Sequence, residues 1–262
     1  MRGRLFLILS VACVLTACSR DSHAADDKPA EPAYTFAGTV ERGKTIKSDI
    51  TGIAYPYHVY LPAGYANSDK RYPVMYATDG QWSFPAFSRM LDQRRKPMIL
   101  ISIEQGGPDR RAVDYTVKGE PAYARFLKEE LAPLVERTYR TSGVRSYSGT
   151  SLGGLLGAAM LAHENAAQPF YSSYLLFDAA FWALTPQDIK IEERRFADSP
   201  RLPVKLILSG AELRGNLSAV QAYEARYRSR AYEGLVIQSK SFKVDHFNVG
   251  DPSFDWAIDL ID

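Results

Sequence analysis

The feature of this sequence that most limits its fold is the alternation of short apolar runs with longer helical stretches. Residues 98–103 are apolar at nearly every position, which is typical of a strand covered on both faces. Between Ala122 and Arg140, apolar residues recur three and four positions apart, as one face of a helix requires. Pro133 predicts a kink in that helix, because its nitrogen cannot donate a hydrogen bond.

The same pattern continues to the end of the chain. Asp251 followed by Pro252 suits the start of a final helix, with the aspartate as its cap. Strands that alternate with helices predict an α/β fold with a mostly parallel, doubly wound sheet flanked by helices. Further strands are predicted at 57–61, 72–77, 145–148, 171–177, 204–209 and 234–239, and further helices at 151–163 and 217–230.

The first 17 residues resemble an export signal. Arg2 and Arg4 precede an apolar run at 5–14, which is too short to span a membrane. The sequence Leu15-Thr16-Ala17-Cys18 resembles a bacterial lipobox, in which Cys18 is acylated and becomes the mature N-terminus. We therefore expect a lipoprotein signal peptide at 1–17 and a lipid anchor at Cys18. Ser19 after the cysteine favours the periplasmic face of an outer membrane.

Residues 18–33 are predicted to be the lipidated cysteine and a disordered tether, because this stretch is polar and has no apolar periodicity. A single domain is expected at 34–262. The other cysteine, Cys13, leaves with the signal peptide, so the mature chain has no thiol for a catalytic, metal-binding or disulfide role.

Composition and motifs narrow the class of function. The formal net charge is +2 and no basic run stands out, which argues against nucleic acid as a partner. The sequence has no H-E-x-x-H pattern, no P-loop and no dinucleotide glycine fingerprint. We expect neither a metal nor a cofactor.

The strongest motif is Gly149-Thr150-Ser151-Leu152-Gly153, which matches G-x-S-x-G. It lies between a predicted strand and a predicted helix, the setting that a nucleophilic serine on a tight turn requires. Small residues on either side let the strand and helix approach each other. Ser151 is therefore the candidate nucleophile, and the backbone N–H of Leu152 is a candidate donor to an oxyanion.

Of the four histidines, His246 is the candidate base. His23 lies in the tether, and His58 lies in a predicted strand, where a structural role is expected. His163 ends the helix that Ser151 begins, about 18 Å away at 1.5 Å per residue. His246 follows the last predicted strand, where the chain order serine, acid, histidine places the base.

The acid that orients the histidine is expected in the loop after the strand at 204–209. Glu212 is the first carboxylate there and is the favoured candidate. Asp178, directly after the strand that ends at Phe177, is the main rival. Asp245 is disfavoured because adjacent side chains seldom face each other.

Several longer segments resemble one family, the putative-esterase branch of the α/β hydrolases, especially its siderophore-esterase and esterase-D-like members. These segments are 60–65, 72–80, the R-x-x-D-x-T pattern at 111–116, and the proline-containing helix at 126–136. The resemblance supports Ser151 and His246, and it implies that the backbone N–H of Gln81 is the second oxyanion donor.

The chain departs from the family pattern at three places. Thr150 stands where a histidine is frequent before the nucleophile. The sequence Asp178-Ala179-Ala180-Phe181-Trp182 stands where many members carry S-P-S-x-W-W. The position of the acid varies within the family, and some members work with little help from one.

The expected function is hydrolysis of a small-molecule carboxylic ester by a serine esterase held at a membrane by its anchor. Siderophore, aryl, acetyl-sugar and short acyl esters all fit, and aromatics at 81–84 and 181–182 are candidates to line the pocket. Two alternatives stay open: an acyltransferase to a sugar or lipid acceptor, and a catalytically inactive lipoprotein that binds a ligand. The combination of Ser151 and His246 favours catalysis.

Overall fold

The computed structural model describes residues 34–116 and 118–261. Within these residues the central feature is an eight-stranded sheet with the strand order β1-β2-β4-β3-β5-β6-β7-β8. The strands are Thr39–Lys47 (β1), Ala54–Leu61 (β2), Tyr72–Ala77 (β3), Ile99–Ile103 (β4), Thr141–Thr150 (β5), Ser173–Phe177 (β6), Lys205–Leu213 (β7) and Val236–Asp245 (β8).

The sheet is mostly parallel. β1 pairs with β2 and β2 pairs with β4 in antiparallel fashion, and every neighbouring pair from β4 through β3 to β8 is parallel. Parallel strands end at one common edge, so the segments that follow β3, β5, β6, β7 and β8 share the carboxyl edge of the sheet.

Helices cover both faces of the sheet. They are Gly80–Gln93 (α1), Arg110–Asp114 (α2), Glu120–Arg125 (α3), Ala132–Thr138 (α4), Leu152–Ala162 (α5), Pro186–Asp198 (α6), Leu217–Arg228 (α7) and Gly250–Ala257 (α8). A π-helical segment, Phe126–Leu131, joins α3 to α4.

The core lies in two layers, one on each face of the sheet. Alternate side chains of a strand point to opposite faces, so Met75 packs with α1 and α8 whereas Tyr76 packs with the helices on the other face. The rings of Phe87 and Phe254 stack at 3.7 Å between centroids and join α1 to α8. Such a stacked pair contributes about 0.5–1.5 kcal/mol beyond its burial.

The α/β-hydrolase fold predicted from the sequence is confirmed, and each predicted strand is present. Four elements were not predicted: the polar edge strand β1, and the helices α1, α2 and α6. β7 and β8 also run beyond their predicted ends, to Leu213 and Asp245.

The predicted kink at Pro133 takes the form of a change in helix type. The single predicted helix is divided into α3, the π-helical segment and α4, with Pro133 in the first turn of α4. The backbone stays helical through Leu131, so the proline, which has no N–H to donate, lies where the pattern of helical hydrogen bonds changes.

The predicted signal peptide, Cys18 and the tether lie outside the described residues. Thr35–Asp262 form one compact unit by their internal contacts. Among the described helices, none combines the length and the apolar character needed to cross a bilayer.

Candidate active site

Ser151 occupies the sharp turn between β5 and α5. Its backbone dihedrals, φ 58° and ψ −117°, lie in a region that residues with a side chain seldom adopt. Such a conformation costs about 1–3 kcal/mol and persists only where neighbours hold it. The N–H of Ser151 donates to the carbonyl of Phe177 at 3.0 Å, and the N–H of Ala180 donates to the carbonyl of Ser151 at 3.0 Å. The turn after β6 therefore holds the strained serine from both sides.

The glycines of the motif allow strand and helix to approach. A Cβ atom on Gly149 would lie 2.4 Å from the carbonyl oxygen of Gly153. A Cβ atom on Gly153 would lie 2.4 Å from Oγ1 of Thr78, and one on Gly154 would lie 2.5 Å from Cβ of Ala179. Side chains at these positions would separate the start of α5 from the turns that follow β3 and β6.

His246 directly follows β8 and faces the serine. Its Nε2 lies 3.1 Å from Oγ of Ser151, and its Nδ1 lies 2.6 Å from Oδ2 of Asp178. Asp245 does not contact the imidazole in any described hydrogen bond; its carboxylate accepts the N–H groups of Phe247 and Asn248, each at 3.1 Å. Asp245 thus closes the turn that presents His246 at the edge of the sheet.

Asp178 is fully buried and well supplied with donors. Its Oδ1 accepts the N–H groups of Ala211 and Asn216, each at 2.9 Å, and the side-chain amide of Asn216 donates to its carbonyl at 2.8 Å. A carboxylate only accepts hydrogen bonds, so its contact with His246 places the proton on Nδ1. The lone pair of Nε2 is then directed at the hydroxyl of Ser151.

The expectation that Glu212 contacts the histidine is wrong. Glu212 is exposed, and its Oε1 accepts from the hydroxyl of Ser241 on β8 at 2.7 Å. The reason is the length of β7, which places Glu212 inside a strand. The backbone N–H of Ala211 reaches Asp178, whereas the side chain of Glu212 bonds to Ser241 of the neighbouring strand β8. The acceptor of the imidazole is the rival candidate, Asp178.

Asn216 was not among the residues predicted for this site. It follows Gly215, where a Cβ atom would lie 2.9 Å from Oδ2 of Asp178. The sequence signal for Asn216 is a glycine followed by an asparagine shortly after the end of β7. That signal is weak, because its meaning depends on the position of Asp178 on a neighbouring strand.

The two candidate oxyanion donors are the backbone N–H groups of Gln81 and Leu152, in the first turns of α1 and α5. Within the described residues neither group donates to a protein acceptor. Unpaired N–H groups and the positive end of the helix dipole both favour an anion at such positions. The contact between Gly153 and Thr78 shows that these two helix starts adjoin.

The serine and the histidine open into a cavity of about 580 Å³. Two exposed aromatic side chains line it: Trp82, 63% exposed, and Phe247, 92% exposed. Among the other predicted pocket aromatics, Phe84 is buried in the core, and Phe181 stacks on Tyr223 at 3.9 Å.

The other described histidines do not join this site. Nε2 of His58 lies 2.6 Å from Oε1 of Glu104, and His163 is exposed at the end of α5. In the part of the chain that the structure describes, no group of three or more histidine, cysteine, aspartate or glutamate side chains is arranged to hold a metal ion.

A family model described as "Putative esterase" matches residues 48–190, more than half of the 262-residue chain. The chain belongs to this family. It is an esterase, as the resemblance in its sequence predicted. Among curated proteins, none shows significant sequence similarity to this esterase.

Solved structures show the same fold at low sequence identity. An IroE-like serine hydrolase from Shewanella oneidensis superposes with a TM-score of 0.74 at 23% identity, covering 84% of this esterase and 78% of that chain. The siderophore hydrolase EstA from Aspergillus nidulans has a TM-score of 0.71 at 19% identity, with coverages of 91% and 98%. An S-formylglutathione hydrolase from Agrobacterium tumefaciens has a TM-score of 0.64 at 14% identity, with coverages of 87% and 95%.

Proposed function

We propose that this esterase cleaves carboxylic esters through an acyl-enzyme formed on Ser151. The observation that carries the proposal is the continuous array of Asp178, His246 and Ser151, with contacts of 2.6 and 3.1 Å, at the opening of a 580 Å³ cavity. In this proposal His246 is the general base, Asp178 orients it, and the N–H groups of Leu152 and Gln81 bind the oxyanion.

In the first half-reaction, Oγ of Ser151 attacks the ester carbonyl carbon while Nε2 of His246 takes the hydroxyl proton. The carbonyl oxygen becomes an oxyanion held by the two backbone donors. The bond to the leaving oxygen then breaks, and the imidazolium returns the proton to that oxygen as the alcohol departs. The imidazolium is stabilised by Asp178, whose charge is held by two backbone N–H groups.

In the second half-reaction, water attacks the acyl-serine. His246 takes a proton from the water, the tetrahedral oxyanion forms in the same site, and the bond to Oγ of Ser151 breaks. The imidazolium returns the proton to Oγ, and the carboxylic acid leaves.

In the proposed triad the acid is Asp178, at a position where this chain departs from the family pattern. In the family motif S-P-S-x-W-W the matching position is a serine, which cannot carry a charge opposite the imidazole. Here a buried carboxylate contacts Nδ1 at 2.6 Å. This contact supports a three-residue arrangement in which Glu212 takes no part.

The proposed substrates are siderophore, aryl or short acyl esters. The aromatic surfaces of Trp82 and Phe247 line the cavity and favour an apolar or planar group beside the reacting carbonyl. Two of the similar solved structures are described as siderophore hydrolases, from Aspergillus nidulans. A panel of p-nitrophenyl esters of increasing acyl length, an aryl ester and a ferric siderophore ester ranks these classes by kcat/KM.

The proposed location is the cell envelope, with the esterase anchored through a lipid on Cys18, at the periplasmic face of an outer membrane. The supporting feature is the sequence Leu15-Thr16-Ala17-Cys18 after an apolar run. Expression with a radiolabelled or clickable fatty acid should label the wild type but not Cys18→Ser. Label in Cys18→Ser, or none in either protein, would contradict the anchor.

Covalent labelling with a fluorophosphonate probe tests the nucleophile. Wild-type protein should label, Ser151→Ala should not, and His246→Ala should label at least about 100-fold more slowly. Ser148→Ala is the matched control, because Ser148 also lines the cavity and its buried hydroxyl has no described hydrogen-bond partner. Undiminished labelling of Ser151→Ala, or no labelling of folded wild type, would overturn the proposal.

A further inference from the structure

Arg111, in α2, joins the two turns that carry the proposed oxyanion donors. Its Nε donates to Oδ1 of Asp79 at 2.8 Å, and one of its terminal nitrogens donates to the carbonyl of Thr150 at 3.2 Å. Asp79 occupies the N-cap position of α1, two residues before Gln81, and Thr150 directly precedes Ser151. A single side chain therefore holds both turns from the same side of the cavity.

Both of these turns are strained. Asp79 has φ 60° and ψ 41°, and Ser151 has φ 58° and ψ −117°. Residues with a side chain keep such conformations only where the surrounding structure fixes them. One of the two Arg111 hydrogen bonds ends on Asp79 itself, and the other ends on the residue before Ser151. Loss of Arg111 removes one restraint from each strained turn.

The spacing of the two donors depends on these turns. The Gln81 and Leu152 N–H groups belong to separate helices, so their spacing is set by the contacts that hold the two turns together. Donors stabilise a tetrahedral oxyanion only when their separation matches it before the reaction begins. Arg111 can bond to both turns at once because its planar guanidinium presents several N–H groups in a fixed geometry, which a lysine ammonium does not.

The charge of Arg111 is already matched by a partner. Asp79 is buried, and burial raises the pKa of its carboxyl group, while Arg111 acts in the opposite direction. The guanidinium also lies 5.9 Å from the ring centroid of Trp82 and 5.7 Å from that of Tyr115. Arg111 therefore lines the cavity, and its positive charge is paired with the carboxylate of Asp79.

We propose that Arg111 is a positioning residue that fixes the β3–α1 turn against the β5–α5 turn and so sets the geometry of the oxyanion donors. This inference rests on the proposed function, because it gives Arg111 a role in stabilising the tetrahedral intermediate. It predicts an effect on kcat, with substrate binding largely unchanged, since the ground-state ester needs the donors less than the oxyanion does.

The test compares Arg111→Met with Arg110→Met in the full chain, using p-nitrophenyl esters. Arg110 is a matched control because it is the adjacent arginine in α2 and pairs with another buried carboxylate, Asp114, away from both turns. Arg111→Met should lower kcat about 10–100-fold with KM within about threefold. Arg110→Met should keep kcat within about twofold even where its melting temperature falls.

A second pair of variants separates positioning from a purely structural role. Arg111→Met leaves the Asp79 carboxylate buried without its cation, and the double variant Asp79→Asn/Arg111→Met removes that charge. The double variant should regain thermal stability while kcat stays low, because the tie to Thr150 is still missing. Arg111→Lys should recover only part of the lost kcat.

The affinity of an alkylboronic acid, which forms a tetrahedral adduct with an active serine, provides a readout independent of turnover. Its inhibition constant should rise in Arg111→Met by about the same factor as kcat falls. An unchanged kcat in Arg111→Met, a change in KM alone, or full recovery of kcat in the double variant would overturn the inference. Wild-type protein without turnover or fluorophosphonate labelling would instead overturn the proposed function, and this inference with it.

Discussion

The described part of the chain contains two histidine–carboxylate pairs with the same contact distance and different surroundings. Nδ1 of His246 lies 2.6 Å from Asp178, and Nε2 of His58 lies 2.6 Å from Glu104. The second ring nitrogen distinguishes them. In His58, Nδ1 accepts the backbone N–H of Gly43 at 3.2 Å, so the ring has no lone pair left.

In His246 the second nitrogen faces a hydroxyl at a cavity. Nε2 lies 3.1 Å from Oγ of Ser151, and the imidazole borders the space where a substrate would bind. The His58 ring lies against Phe84, at 4.9 Å between centroids, on the antiparallel side of the sheet. A nearby carboxylate therefore does not make a histidine a base. What matters is a lone pair directed at an ionisable hydroxyl that a substrate can reach.

The largest effect that this comparison predicts is on activity after loss of the imidazole. His246→Ala should lower kcat/KM about 10⁴-fold, because among the described residues the proposed base His246 is the group that contacts the hydroxyl of Ser151. His58→Ala should stay within about threefold of wild type. The measurement is steady-state hydrolysis of a p-nitrophenyl ester. Similar losses in the two variants would mean that the comparison between the two pairs is wrong.

The next effect concerns the carboxylates. In Asp178→Asn, the amide oxygen should stay with the N–H groups of Ala211 and Asn216, so the amide NH₂ would face His246. That NH₂ donates to Nδ1 and forces the proton onto Nε2, which can then no longer accept from Ser151. We expect kcat to fall about 10²–10⁴-fold.

Glu104→Gln is the control for this carboxylate variant. Glu104 pairs with the histidine that has no substrate-facing nitrogen, so kcat should remain within about twofold of wild type. Circular dichroism of both variants checks that each protein is folded. Full activity in a folded Asp178→Asn would remove Asp178 from the proposed triad and leave a serine–histidine pair.

A smaller effect is expected on stability when the structural pair is broken. His58→Phe keeps an aromatic ring against Phe84 and leaves the Gly43 N–H and Glu104 without their partner. The free energy of unfolding should fall by about 1–2 kcal/mol, which urea denaturation can measure. The kcat of the remaining folded protein should not change. A loss of kcat without a loss of stability would contradict the structural role of His58.

Most strands, and the positions of Ser151 and His246 in the candidate site, were predictable because they depend on local patterns. Fully apolar runs such as 98–103 predict buried strands, and a serine between glycines at a strand–helix junction predicts the sharp turn. The strand β1 was not predicted because its side chains are mostly polar and exposed. Its identity as a strand depends on pairing with β2, which is not a property of its own residues.

The proposed roles of Asp178 and Arg111 depend on contacts between segments that are distant in the sequence. His246 contacts Asp178 across 68 positions, and Arg111 contacts Thr150 across 39. The loop expected to begin after Ser209 is instead a continuing strand paired with β8. An apolar pattern indicates that a strand exists but does not fix where its pairing ends. A difference of a few residues there decides which carboxylate reaches the histidine.

The smallest effect is expected at the carboxylate that the sequence favoured. Glu212 is exposed and bonded to Ser241, and its neighbour Ala211 supplies the N–H that holds Asp178. Glu212→Gln keeps an oxygen for Ser241 and leaves the backbone unchanged, so kcat/KM should remain within about twofold. The measurement is best made beside Asp178→Asn with the same ester. A large loss in Glu212→Gln would mean that a second carboxylate acts on the imidazole during turnover, and the role of Asp178 would then be shared with Glu212.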